Sequence, residues 1–119
     1  MEKTIEIDTI VRQLSTIEHF CCPIQPYSIT EDKYIAVIEI DDFISVISLH
    51  NNELQFNCTG DSRFLVAENI KRKISELKIF DYLVEVVQPD TFTMIFSSYS
   101  KCKPESYKTI YPNSTVYIL

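Results

Sequence analysis

The sequence predicts an α+β fold: a mostly antiparallel sheet of five or six strands with two helices, in the order α-β-β-β-α-β-β-(β). Three observations carry this reading. Segments 34–40 and 43–49 are dense in β-branched residues and separated only by Asp41-Asp42, a pair that tolerates turn conformations. Segments 5–20 and 62–77 place apolar residues three and four apart, the spacing of one helical face. No repeat, linker or low-complexity tract interrupts the 119 residues, so residues 1–119 are read as a single domain.

Taken in order, Ile7, Ile10, Val11, Leu14 and Ile17 form the apolar stripe of the first helix, with Glu6, Asp8, Arg12, Gln13 and Glu18 opposite. Pro23 and Pro26 stop it, because proline lacks a donor and disfavours helix in the residue before it, and a loop is expected to follow. The hairpin 34–40/43–49 is apolar on most of both faces. Asn51-Asn52 turns the chain into 53–58, where Leu54, Phe56 and Cys58 alternate with Glu53, Gln55 and Asn57, the pattern of a strand with one wet face.

Gly60 and Asp61-Ser62 signal a helix start, and Phe64, Ala67, Ile70, Ile74 and Leu77 continue it on one stripe. Strands 80–88 and 92–99 flank the turn Pro89-Asp90-Thr91. Residues 100–114 read as irregular, and 115–119 as a last strand. The expected core is Ile10, Leu14, Ile17, Ala36, Ile38, Ile47, Leu54, Phe56, Phe64, Ile70, Ile74, Val84, Val86, Met94 and Phe96. Apolar residues on both hairpin faces, with only two helices to cover them, predict self-association, and a homodimer is the favoured form.

Charge is divided unevenly along the chain. Residues 1–60 hold ten carboxylates against Lys3, Arg12 and Lys33, a balance of −7, whereas residues 61–119 hold seven acids and eight bases, a balance of +1. An acidic half attracts a basic protein and repels nucleic acid, so direct nucleic-acid binding is not expected. Lys71-Arg72-Lys73 is too small a basic patch to reverse that field and reads as a solvated helix face.

The single glycine, Gly60, excludes most nucleotide-binding loops and nucleophile elbows, which need glycine wherever backbone must approach a ligand closely. No apolar run approaches a membrane span and no secretory leader opens the chain, so a cytoplasmic protein that meets no membrane is expected. Four cysteines are too few for a disulfide scaffold and read as reduced thiols.

Candidate chemistry is sparse. His19, Cys21 and Cys22, with Cys58 or Cys102, offer soft ligands but lack the paired spacing of a zinc site. A thiol nucleophile among Cys21, Cys22, Cys58 and Cys102, activated by His19 or His50, would need a base in reach and an oxyanion pocket. Neither a catalytic set, nor a metal, nor a cofactor is expected. The tyrosines of the tail (Tyr99, Tyr107, Tyr111, Tyr117) suit an interface as well as packing over a sheet.

The remaining feature is the acidic cluster Glu31, Asp32, Glu39, Asp41 and Asp42, at one end of the first hairpin and its approach loop. It is the predicted partner-binding site of a small non-catalytic acidic protein, an inhibitor or immunity-type protein that masks a basic surface. As turn charges, Asp41 and Asp42 are expected to add little stability. The order α-β-β-β-α-β-β across residues 5–99, with the acidity and the length, resembles the small type III secretion chaperones. That resemblance implies a homodimeric chaperone or adaptor binding an extended effector segment on its outer surface. A third reading is a small-molecule sensor with Cys22, His50 or Cys58 in a pocket.

Overall fold

The computed structural model describes residues 7–14, 25–29, 33–40 and 42–119. Within them the chain runs α1 (Ile7–Leu14), β1 (Gln25–Ile29), β2 (Lys33–Ile40), β3 (Phe43–His50), β4 (Glu53–Thr59), α2 (Arg63–Glu76), β5 (Tyr82–Val87), β6 (Phe92–Ser97), α3 (Glu105–Ile110) and β7 (Thr115–Ile118). All seven strands form one antiparallel sheet in the order β1-β2-β3-β4-β6-β5-β7. The α+β class holds, with one strand and one helix more than the sequence predicts.

Both additions have a physical cause. Strand β1 occupies part of the expected loop and tolerates Pro26 because it is an edge strand with an irregularity between Pro26 and Ser28, where a missing donor does least harm. Helix α3 falls in the stretch read as irregular. Its six residues, ESYKTI, are too short to display a helical period.

Strand alternation divides the sheet into two faces. On the first, Ala36 and Ile38 of β2, Phe43, Ile47 and Leu49 of β3, Leu54, Phe56 and Cys58 of β4, and Met94 and Phe96 of β6 pack against Ile10 and Leu14 of α1 and Ala67, Ile70 and Ile74 of α2. On the second face, Tyr107 of α3 closes over Tyr82, Val84, Val86 and Ile95 at the β5–β6–β7 end. Among the described residues no helix lies over β2 and β3 on that side.

Two expected core positions need comment. Ile17 lies outside the described residues. Phe64 is 44% exposed at the first turn of α2, where its ring lies 5.1 Å from that of Phe92 between centroids and the Arg63 guanidinium lies 4.6 Å from the ring centre.

Turn chemistry holds the register. Asn51 and Asn52, at φ 52° and 61°, make the two-residue link between β3 and β4, a geometry asparagine tolerates better than most residues. Gly60, at φ 105°, turns β4 into α2 so closely that a Cβ there would stand 2.0 Å from the carbonyl oxygen of Asp42. The only glycine thus serves a backbone crossing. No helix among the described residues is long and apolar enough to cross a membrane.

Candidate functional site

The outward face of β2 and β3 is built by alternation. Phe43, Ser45, Ile47 and Leu49 turn inward, so Ile44, Val46, Ser48 and His50 turn outward. Val37 of β2 pairs with Val46, Ile35 with Ser48, and Glu39 with Ile44. Ile44 and Val46 remain 41% and 39% exposed, and Ile35 and Val37 are half-buried beside them, which makes an apolar strip that no helix among the described residues covers. Its far border is polar. Asn57 accepts hydrogen bonds through Oδ1 from Thr93 at 2.9 Å and from Gln55 at 3.4 Å.

The two ends of this face differ in charge. Glu39 is exposed at one end. Lys33 and His50 pair across β2 and β3 at the other, with Glu53 the partner of His50 on β4. Glu39 lies six positions along the strand from Lys33, about 20 Å at the usual rise per residue. An apolar strip therefore runs along the outward face between Glu39 and Lys33.

Of the predicted acidic site, Glu31, Asp32 and Asp41 lie outside the described residues. Glu39 is a surface side chain as expected. Asp42 is exposed but does structural work: its Oδ2 accepts the backbone N–H groups of Asp61 at 2.8 Å and Ser62 at 3.3 Å, and its Oδ1 accepts the Ser62 hydroxyl at 2.8 Å. Ser62 makes no side-chain cap of its own at the start of α2, so Asp42 satisfies those donors from the neighbouring turn. The Ser62 hydroxyl chiefly, with the two N–H groups, holds the Asp42 carboxyl below its usual range. The expectation that turn charges add little stability therefore does not extend to Asp42.

The thiol candidates separate. Cys21, Cys22 and His19 lie outside the described residues. Cys58 is fully buried on the helix-covered face, donates to Ser45 Oγ at 3.6 Å, and is pushed up to about 11 by burial, so it is held as a neutral thiol. His50 faces the other way. Of the thiol and histidine pairings that the sequence allows, His50 and the half-buried Cys102 line one polar hollow.

The tail tyrosines divide in the same manner. Tyr107 is buried and donates its hydroxyl to the Glu53 carboxylate, which fastens α3 to β4. Tyr82 lies between Tyr107 and Tyr99, at centroid distances of 6.1 and 5.4 Å, and donates to the Cys102 carbonyl at 2.6 Å. Lys71 of the basic patch turns inward to Glu85 at 3.4 Å and Glu68 at 3.5 Å, with its ammonium 4.6 Å from the centre of the Tyr117 ring. No cluster of His, Cys, Asp and Glu among the described residues has the geometry of a metal site.

No protein family, curated protein or solved structure matches this chain.

Proposed function

We propose that this chain is a small non-catalytic protein-binding protein of the cytoplasm, an inhibitor or immunity-type protein whose acidic half masks the basic surface of another protein. The observation that carries the reading is the strip of Ile35, Val37, Ile44 and Val46, which no helix among the described residues covers, with Glu39 at its end. Apolar groups that water must otherwise solvate supply affinity, and the −7 balance of residues 1–60 supplies steering toward positive charge. Because Asp42 is committed to α2, the charges assigned to the partner are Glu39 with Glu31, Asp32 and Asp41.

The test is affinity capture from the native host at low salt, with Val46→Lys as the control. A basic protein retained by the wild type should bind the variant at least about tenfold more weakly, since a charge placed at the centre of an interface must be desolvated. Retention of the same protein by both would remove the strip from the interface. Capture of no basic protein would reject the reading.

A second reading is the homodimeric chaperone or adaptor. The same strip supports it, since two copies could bury it against each other or lay it along an extended segment. Light scattering distinguishes the readings: a mass of 13.9 kDa at high concentration leaves the heterologous partner, and twice that mass, lost in Val46→Lys, supports the dimer.

A further inference from the structure

Among the described residues the sheet ends in two unlike edges. Strand β1 closes one side with Pro26 and an irregularity between Pro26 and Ser28, two devices that hinder a further strand from pairing there. Strand β7 closes the other in unbroken register with β5, and residues 115–119 contain no proline and no charged side chain. Its apolar side chains reach the surface: Tyr117 is 41% exposed, Ile118 69% and Leu119 43%.

Alternation decides which backbone groups of β7 are used. The Leu119 N–H donates to the Asp81 carbonyl at 3.1 Å, so Leu119, Tyr117 and Thr115 direct their N–H and C=O groups toward β5 and its approach, whereas those of Val116 and Ile118 point away from the sheet. Among the described residues no strand meets them. The next outward position, Ser114, is already committed: its N–H donates to the Tyr111 carbonyl at 3.0 Å and its own carbonyl accepts the Lys108 ammonium. The edge offered for pairing is therefore Val116 and Ile118, one on either side of Tyr117.

We propose that β7 pairs with β7 of a second copy of this chain, antiparallel and centred on Tyr117, joining two sheets into one. Opposite residues of an antiparallel pair share a face, so the twofold axis between the copies must pass through a residue position rather than between two. Centred on Tyr117, it sets Val116 of each copy opposite Ile118 of the other, and the outward N–H and C=O groups of both residues exchange hydrogen bonds on each side of the axis. Centred on Val116, it would set Ile118 against the committed Ser114. This self-complementarity assigns the edge to a second copy. The side-chain pairs agree with it: Val116 with Ile118 and Tyr117 with its own image are favourable cross-strand neighbours, and no charge on the strand meets itself. Lys71, whose ammonium lies beside the Tyr117 ring, is matched by Glu85 at 3.4 Å. The edge is separate from the strip on β2 and β3, so it can fail without the partner proposed above failing.

Sedimentation equilibrium of the full chain over a wide concentration range should show the mass rising from 13.9 kDa toward twice that value. Ile118→Pro removes an outward N–H and spares the ladder to β5, and it should weaken association at least about tenfold, since a hydrogen bond is lost on each side of the axis. Val46→Lys should leave association unchanged. Register is read by cysteine cross-linking under mild oxidation, with the linked peptides identified by mass spectrometry. Directly opposite residues outside the hydrogen-bonded pairs lie about 4.5 Å apart between Cα atoms, within disulfide reach. Tyr117→Cys should therefore link to its own image severalfold faster than Ile118→Cys does. Circular dichroism checks that each variant folds. A monomer at every concentration, a dimer indifferent to Ile118→Pro or abolished by Val46→Lys, or links at 118 as fast as those at 117 would overturn the proposal. So would a monomeric chain that captures a different protein and loses it on Ile118→Pro, which would give the edge to a foreign strand.

Discussion

The Ser62 hydroxyl donates to the Asp42 carboxylate at 2.8 Å, tying the turn between β2 and β3 to the first residues of α2. Because the hydrogen bonds hold this carboxyl below its ordinary value of 3.8, the folded chain takes up the proton less readily than the unfolded chain. The stabilisation is therefore present above that unfolded value and lost as pH falls through the lower folded one. Urea unfolding of Asp42→Asn should show a lower midpoint than wild type at pH 7, and the gap should shrink in strong acid. A gap that stays constant with pH would mean that the carboxylate charge plays no part.

Gly60 meets the same turn from the other side. An added methyl would lie 2.0 Å from the Asp42 carbonyl oxygen, a backbone atom with no rotamer to escape through, and φ 105° is already hostile to any side chain. Gly60→Ala should cost at least about 2–3 kcal/mol in chemical denaturation. A variant within about 0.5 kcal/mol of wild type, the usual spread for surface changes, would show that the two turns can separate freely.

These two residues also mark how far the sequence could be read. β-branched density located β2 and β3, alternation located β4, and the stripe Ala67–Ile70–Ile74 located α2, because each signal is local and repeats within one element. Pro26 concealed β1, since a proline argues against a strand until its neighbours show that it lies on an edge. The surplus of apolar residues on the first hairpin was legible from Ile35, Val37, Ile44 and Val46. Where α3 docks on the second face was not, because six residues carry no periodic signal. Asp42 meeting Ser62 is a pairing through space between residues with no pattern in common.

Tyr107 is the anchor of α3, and its hydroxyl reaches Glu53 across the edge of the sheet core. Tyr107→Phe keeps the ring against Tyr82 and removes one hydrogen bond to a charged acceptor, so it should cost about 1.5–3 kcal/mol. Burial first, then the Glu53 carboxylate, raises the phenol well above its usual 10.0, so this part of the stability persists below that value and is lost as pH rises above it. Wild type should therefore lose stability in alkali faster than Tyr107→Phe. Equal alkaline sensitivity of the two, followed by urea midpoints, would remove Tyr107 as its source.

Glu39 offers the cleanest test of the acidic end, since it is exposed on β2 and is not committed to α2 as Asp42 is. Exposed charges at the rim of an interface act on encounter: they bias diffusion over a Debye length of about 8–10 Å and contribute little once the surfaces have closed. Replacing Glu39 and Asp41 together by Lys should therefore slow association with a basic partner by about tenfold at low salt and change dissociation far less. Val46→Lys should do the reverse, because a buried charge penalises the closed complex and raises the off-rate. Raising salt should bring the association rates of wild type and the Glu39/Asp41 variant together. If the rates already coincide at low salt, the acidic half does not steer the partner, and the apolar strip would have to account for recognition alone.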